Sequence, residues 1–260
     1  MRRSIAQIGG VFVRLIVTGG ASGLGRSVAI GAALRGAQII IVDKDAQGAD
    51  LVAKACKGKA FVCDLIGDNV EDTVAHCANE LGGLDGLVNS AGFGAGEAFL
   101  EMKTATWDRI FGLNVRALAL ATAAAGRIMA AQKYGRIVNV TSPASRMALP
   151  NYTAYAASKA AVDSITRSAA VALAPFGVRV NSVAPGMMDT PMQRETEASF
   201  ARLEGRDDME RFLAERTARI PIGRRVDPDE VAQAVLWLLF DAPDYLTAER
   251  LNMSGGLDKD

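Results

Sequence analysis

Short apolar runs alternate with longer segments of helical periodicity along most of the chain. The runs are rich in valine and isoleucine and too short for helices, so each predicts a buried β-strand. The predicted strands are 13–18, 37–43, 59–63, 84–89, 135–141 and 178–183, with a weaker seventh near 248–253. The predicted helical segments are 23–35, 46–56, 68–81, 102–132 (long enough for two helices), 152–174 and 228–240.

This alternation is typical of βαβ units, which build a parallel sheet with helices on both faces. The chain is therefore predicted to be α/β: a single doubly wound Rossmann-type domain over 1–260 with a seven-stranded, mostly parallel sheet. Residues 187–220 interrupt the alternation with three methionines and then a highly charged helical pattern. Because open α/β sheets bind ligands at strand ends, we predict a lid-like insertion there. A solvated pair of surface helices is a compatible interpretation.

Composition and charge argue against several classes of protein. Lysine plus arginine equal aspartate plus glutamate at 29 each, so no basic footprint indicates nucleic acid or an anionic membrane. No window of 18 uncharged apolar residues predicts a transmembrane helix. The first 17 residues faintly resemble a signal peptide, but Arg14 interrupts their apolar run, so we interpret its end as a strand and the chain as cytoplasmic.

Histidine and cysteine usage argues against a metal site. His76 is the one histidine in the chain, which excludes centres that need several imidazoles, and we expect it to be structural or at the surface. Cys56, Cys63 and Cys77 have no C-x-x-C spacing, so buried, reduced thiols are expected. We predict no metal ion.

A glycine-rich turn, TGGASGLGRS over 18–27, follows the first predicted strand. Such a turn brings backbone N–H groups and a helix N-terminus to a phosphate. Residues 20–27 nearly fit a P-loop, but Arg26 stands where that loop needs a compact lysine charge. The turn also fits the pattern T-G-x-x-x-G-x-G, formed by Thr18, Gly19, Gly23 and Gly25.

An acidic residue ends the second predicted strand. Asp43 lies 18 residues after Gly25, where a carboxylate can bind the adenosine ribose hydroxyls and repel a 2′-phosphate. This position favours NAD over NADP, although the neighbouring Lys44 partly offsets the charge.

A second group of polar residues follows in order. Tyr155 and Lys159 form Y-A-A-S-K, and residues four apart lie on one face of a helix. Ser142 ends the fifth predicted strand, and Asn114 lies in the long helical segment before it. With the glycine turn, this set resembles the short-chain dehydrogenase/reductase family over about residues 12 to 256.

The resemblance implies a nicotinamide cofactor, here NAD, and a site on matching residues. The catalytic set it implies is Asn114, Ser142, Tyr155 and Lys159. The cofactor-binding set is Gly19, Ser22, Gly23, Leu24, Gly25, Asp43, Asp64, Leu65, Asn89, Ala91, Gly92, Tyr155, Lys159, Pro185, Gly186, Met188 and Thr190. The chain departs from the family pattern at Ser90, where a second asparagine is usual, and at Ser254, where many members have aspartate.

The chemistry requires an ionisable tyrosine. A free phenol has a pKa near 10, whereas a general base works best near neutral pH. An ammonium about 4 Å away contributes on the order of 4 kcal/mol at an effective dielectric near 20, so Lys159 is expected to lower the pKa of Tyr155. We expect Tyr155 to exchange the hydroxyl proton, Ser142 to bind the substrate oxygen, and Asn114 to hold a relay water. The resemblance adds a bond from Lys159 to the nicotinamide ribose.

The substrate pocket is predicted near 93–97, 143–152 and 187–220, with Pro143, Ala144, Met147 and Leu149 giving it an apolar character. Arg146 could hold a carboxylate, but a solvated side chain is the simpler interpretation.

We expect oxidation of a secondary alcohol, polyol or sugar-derived hydroxyl. One alternative is an NAD(P)H-dependent carbonyl reductase of the 3-oxoacyl type; another is a non-catalytic dinucleotide-sensing or scaffold protein. Segments 102–132 and 152–174 are alanine-rich and apolar on more than one face, which predicts a homotetramer or homodimer.

Overall fold

The computed structural model describes residues 13–258, and its strands form one sheet. The strands are β1 (Arg14–Thr18), β2 (Gln38–Asp43), β3 (Lys59–Val62), β4 (Gly86–Asn89), β5 (Gly135–Val140), β6 (Val178–Pro185) and β7 (Arg250–Met253). Their order is β3-β2-β1-β4-β5-β6-β7, and every pairing between them is parallel. The predicted doubly wound sheet is confirmed, and it is parallel throughout rather than mostly so.

Nine α-helices occur within the described residues. They are α1 (Gly23–Leu34), α2 (Ala46–Cys56), α3 (Val70–Leu81), α4 (Thr104–Phe111), α5 (Leu118–Gln132), α6 (Thr153–Leu173), α7 (Pro191–Leu203), α8 (Met209–Ala218) and α9 (Pro228–Phe240). Alternate residues of a strand face opposite sides of the sheet and so belong to two different cores. Leu15 and Val17 pack with α1, α2 and α9, whereas Ile16 packs with α3, α5 and α6. Helices therefore cover both faces of the sheet.

Helix boundaries differ from the sequence prediction by more than one residue in two places. The third helix begins at Val70 rather than 68, because the Asn69 side chain caps the N–H groups of Glu71 and Asp72. The segment predicted as 102–132 forms α4 and α5, joined by a π-helical stretch over Gly112–Ala117. Asn114 lies in that stretch.

The segment 187–220 forms α7 and α8. A buried carboxylate on α7, Glu197, binds Arg225 through two hydrogen bonds of 2.7 and 2.9 Å and also contacts Arg216 of α8. This cluster fixes the two helices to the loop before α9. None of the helices between residues 13 and 258 is both long and apolar enough to cross a membrane.

Residues 1–12 and 259–260, and with them most of the N-terminal apolar run, lie outside the described part. The single-domain prediction over 1–260 therefore remains a prediction. Inside the described part, Cys56, Cys63 and Cys77 are buried free thiols as expected, and no cluster there has the residues to hold a metal ion. His76 is exposed and packs against the ring of Phe61.

Candidate active site

A cavity of about 740 Å³ opens at the carboxyl ends of the strands. Most residues predicted for the site line it: Gly19, Ser22, Gly23, Leu24, Asp43, Asp64, Leu65, Ala91, Gly92, Ser142, Tyr155, Lys159, Pro185, Gly186, Met188 and Thr190. Gly25, Asn89 and Asn114, also predicted for the site, do not line the cavity. Cavities of this size at strand ends suit dinucleotides and small substrates.

The glycine turn is shaped by close backbone approach. Gly19 has a φ of +66°, and a Cβ there would lie 2.6 Å from the Cα of Ala91. A Cβ on Gly25 would lie 2.2 Å from the main-chain oxygen of Gly19, so Gly25 supports the turn from behind instead of facing the cavity. Ser22 is the N-cap of α1, yet its side chain makes no cap bond. A free hydroxyl beside helix N–H groups fits a phosphate.

Asp43 connects the second strand to the glycine turn. Its carboxylate accepts hydrogen bonds from the main-chain N–H of Ala21 at 3.0 Å and of Asp45 at 3.1 Å. These bonds hold a negative charge at the wall of the cavity beside Ser22. The residues present therefore fit a dinucleotide whose ribose has free hydroxyls at this end.

Ser142 stands at the end of β5, where the chain enters a short turn. Its hydroxyl accepts from the N–H of Ala144 at 3.2 Å, and its main-chain oxygen accepts from Arg250 at 3.1 Å. Arg250 in turn binds Asp258 at 2.7 Å. Arg250 and Asp258 thus help to hold Ser142 in place.

Tyr155 and Lys159 lie one turn apart on α6 and are both buried. The Lys159 Nζ atom donates to the main-chain oxygen of Val140 at 2.8 Å and lies 5.6 Å from the centroid of the Tyr155 ring. Burial lowers the pKa of Lys159 to about 8, against an opposing effect of Asp163 one turn further along.

The protein's own groups do not lower the pKa of Tyr155 as expected from the sequence. Burial raises that pKa to about 12, and the lowering by the Ser142 hydroxyl is smaller. The loss of water around the buried phenol therefore outweighs the favourable contact with Ser142, while Lys159 donates to the main-chain oxygen of Val140. Tyr155 is therefore a proton donor at neutral pH unless further positive charge approaches it.

Asn114 and Asn89 are held in internal networks. The Asn114 amide accepts from the Phe93 N–H at 2.8 Å and donates to the Phe93 oxygen and to Ser158. Asn89 donates to Thr122 and Asn139. Asn114 thus fixes the loop after β4, and Asn89 links neighbouring strands. A Cβ placed on Gly92 would lie 3.6 Å from Asn114 Oδ1 and 3.8 Å from Lys159 Nζ, so both atoms approach the same glycine.

The remaining wall of the cavity is largely apolar. Pro143, Ala144, Met147 and Leu149 line it as predicted, Phe93 is the residue of 93–97 that does so, and Arg146 is exposed outside it. Tyr152, Phe200 and Arg216 also line the wall. They lie within the predicted ranges 143–152 and 187–220, although no pattern in the sequence distinguished them from their neighbours.

Comparisons with known proteins agree with this architecture. The family model described as enoyl-(acyl carrier protein) reductase matches residues 19–258. A cis-4-hydroxycyclohexanecarboxylate dehydrogenase of Sinomonas cyclohexanicum is 39% identical over 248 residues, covering 93% of this chain and 94% of that protein.

Two similar crystal structures were determined with nicotinamide cofactors. A variant of actinorhodin polyketide ketoreductase with NADPH has a TM-score of 0.91 and 29% identity, covering 96% of this chain and 98% of that one. An NAD⁺-bound xylitol dehydrogenase has a TM-score of 0.89 and 28% identity, covering 94% and 98%. Neighbours of this fold thus use either cofactor, so the choice here depends on individual residues.

Proposed function

Because the chain belongs to the short-chain dehydrogenase/reductase family of oxidoreductases, we propose that it oxidises a secondary alcohol, polyol or sugar-derived hydroxyl with NAD⁺. The observation that carries this proposal is the common cavity of Tyr155, Lys159 and Ser142 with the glycine turn. A proton-transfer group, an oxygen-binding hydroxyl and a dinucleotide cradle then serve one reaction centre.

The proposed steps use the protein's groups as follows. The nicotinamide ring supplies hydride exchange with the substrate carbon, which is the cofactor's own chemistry. Ser142 donates to the substrate oxygen, and Tyr155 accepts the hydroxyl proton in oxidation or gives it in reduction. Positive charge brought beside Tyr155 would lower its raised pKa toward the working pH. Lys159 supplies a positive charge 5.6 Å from the centroid of that ring.

Asn114 keeps its proposed part in proton relay. Its amide oxygen has one acceptor site beyond the Phe93 N–H, and both this oxygen and Lys159 Nζ lie near Gly92. We propose that a water held there passes protons from Lys159 to solvent.

Asp43 supports NAD over NADP. Its carboxylate is fixed by two main-chain N–H groups at the wall of the cavity, so a 2′-phosphate would meet a negative charge that cannot easily turn away. Lys44 beside it is exposed to solvent, which screens its charge. The alternative, a carbonyl reductase of the 3-oxoacyl type using NADPH, has one specific support: the raised pKa of Tyr155 keeps the phenol protonated, which is the form that a reductase needs.

Paired titrations of the purified protein with NAD⁺ and NADP⁺, followed by a panel of secondary alcohols and polyols, test the proposal through NAD(P)H absorbance. Tight NAD⁺ binding with turnover supports it. Preference for NADP⁺ favours the reductase, and cofactor binding without turnover on any alcohol or ketone favours a sensing or scaffold protein.

We further propose a homotetramer, with a homodimer as the smaller alternative, in a reducing, cytoplasmic setting. Val171 on α6 is 74% exposed and Leu120 on α5 is 36% exposed, so apolar surface remains on both helices. The three unpaired thiols suit a reducing compartment. Light scattering during gel filtration should give four times the chain mass, and a monomer would refute the assembly.

A further inference from the structure

A single half-buried cation lies in the wall of the cavity formed by α7 and α8. Arg216 has a side chain only 16% exposed and lines the cavity near Phe200 and Tyr152. The other charged residues of these helices that line the cavity, Glu195, Glu204 and Arg219, are exposed to solvent. The charge in the least solvated position of this wall is therefore positive.

Neighbouring groups hold the Arg216 guanidinium in place. It lies 5.0 Å from the ring centroid of Phe200 and 5.6 Å from that of Phe212. Its Nε atom contacts Glu197 at 3.4 Å, a long hydrogen bond. A guanidinium fixed by two rings and one carboxylate loses little freedom when its other donors bind a ligand.

The terminal nitrogens of Arg216 have no acceptor within the described residues. Glu197 does not balance this charge, because both of its oxygens already accept from Arg225 at 2.7 and 2.9 Å. Arg225 also donates to Thr217 at 3.1 Å, so each of its three guanidinium nitrogens already has an acceptor. Two arginines and one carboxylate leave one positive charge with free donors at the cavity wall, which matches a bidentate carboxylate.

A column of aromatic rings connects this cation to the reaction centre. The Tyr155 and Tyr152 rings stack at 4.3 Å, and Tyr152 meets Phe200 edge to face at 5.1 Å. Arg216 covers the far end of the column at Phe200. A molecule lying along these rings has its reacting hydroxyl at one end and an anionic group, several bonds away, at the other.

We propose that Arg216 is the anchor of an anionic subsite and that the substrate is an alcohol bearing a carboxylate remote from its hydroxyl. This inference rests on the proposed function, because it specifies the substrate class of that same cavity. The apolar rings between the two ends favour a hydrocarbon body, and the guanidinium selects the acid over its neutral analogues.

Binding of two probes without a reacting hydroxyl tests the subsite apart from turnover. We would measure the affinities of cyclohexanecarboxylate and cyclohexanecarboxamide by calorimetry, with and without NADH. A charge-assisted bidentate bond should make the carboxylate bind about 10-fold more tightly or better. Arg216→Gln should reduce that ratio to about one, and Arg216→Lys should restore part of it because it returns the charge without the fork.

Two further variants locate the effect. Arg202→Gln changes an exposed arginine of α7 outside the cavity and should keep the full ratio. Arg219→Gln changes the exposed arginine of the same wall and should lower it much less than Arg216→Gln. The proposal would be overturned if the unaltered protein gives a ratio near one or does not bind the carboxylate in either condition. It would also be overturned if Arg219→Gln lowers the ratio as much as Arg216→Gln does.

The proposed function and this inference can be tested independently of each other. NADH formation from neutral secondary alcohols supports the dehydrogenase even if the two probes bind equally. A strong carboxylate preference lost in Arg216→Gln supports the subsite even if no alcohol is oxidised.

Discussion

The Lys159 ammonium donates a hydrogen bond to the main-chain oxygen of Val140 across 2.8 Å, which ties α6 to the end of β5. This bond fixes the cation beside Tyr155 and removes it from water. Burial consequently lowers the pKa of Lys159 to about 8, whereas the ordinary value is 10.5. The same burial that sets up the reaction centre therefore makes its charge sensitive to pH.

Stability should respond to this lowered pKa. Between pH 8 and 10 the unfolded lysine keeps its proton while the folded one loses it, so the unfolded state binds more protons and the free energy of unfolding rises with pH. Relative to Lys159→Met, the natural protein should gain about 2–3 kcal/mol over this window in urea titrations. Lys103→Met changes an exposed lysine, so its free energy of unfolding should vary with pH as that of the natural protein does. If the free energy of unfolding of Lys159→Met varies with pH in the same way as well, the pKa of Lys159 is not lowered.

Cofactor choice should depend on the charge of Asp43. Asp43→Asn keeps an oxygen to accept the Ala21 N–H but removes the negative charge beside the ribose. The ratio of NAD⁺ to NADP⁺ affinity should fall by about 10-fold or more, because a like charge no longer meets the 2′-phosphate. Asp50→Asn on the exposed face of α2 is the matched control and should leave the ratio alone. An unchanged ratio in Asp43→Asn would remove this residue from cofactor selection.

The Glu197 cluster should carry much of the stability of α7 and α8. Glu197→Gln leaves Arg225 and Arg216 without their carboxylate in a buried setting, which should lower the free energy of unfolding by about 3 kcal/mol. Glu195→Gln alters an exposed carboxylate on the same helix and should change it by less than about 0.5 kcal/mol. Equal effects of the two changes in urea unfolding would show that the cluster does not hold these helices.

Local patterns along the chain were sufficient for the fold and for most of the candidate site. Valine-rich runs predicted the boundaries of the strands within two residues, because strands buried on both faces need continuous apolar sequence. Gly19 was identifiable because its turn has a backbone conformation and a close approach that exclude other residues. Tyr155 and Lys159 were identifiable because helical spacing fixes their common face.

Interactions between distant segments could not be predicted from the sequence. The charged run over 187–220 looked like a solvated surface, yet it contains Glu197, which is 1% exposed, paired with Arg225 from another loop. The pKa of Tyr155 was expected to fall because Lys159 is one turn away, but burial of the phenol raises it instead. Neither the pairing of Glu197 with Arg225 nor the burial of this phenol can be recognised from spacing, since both depend on how the elements pack.

Turnover by Tyr155→Phe tests whether the Tyr155 phenol exchanges the substrate proton. This change removes only the phenol oxygen, so NAD⁺ binding should persist while the rate of alcohol oxidation falls by about 10²–10⁴-fold. Tyr134→Phe, the same change at a half-buried tyrosine outside the cavity, should keep the natural rate. NADH should form in the natural protein and in Tyr134→Phe, with almost none in Tyr155→Phe at full NAD⁺ occupancy. A Tyr155→Phe rate close to the natural one would show that this phenol does not carry the proton transfer.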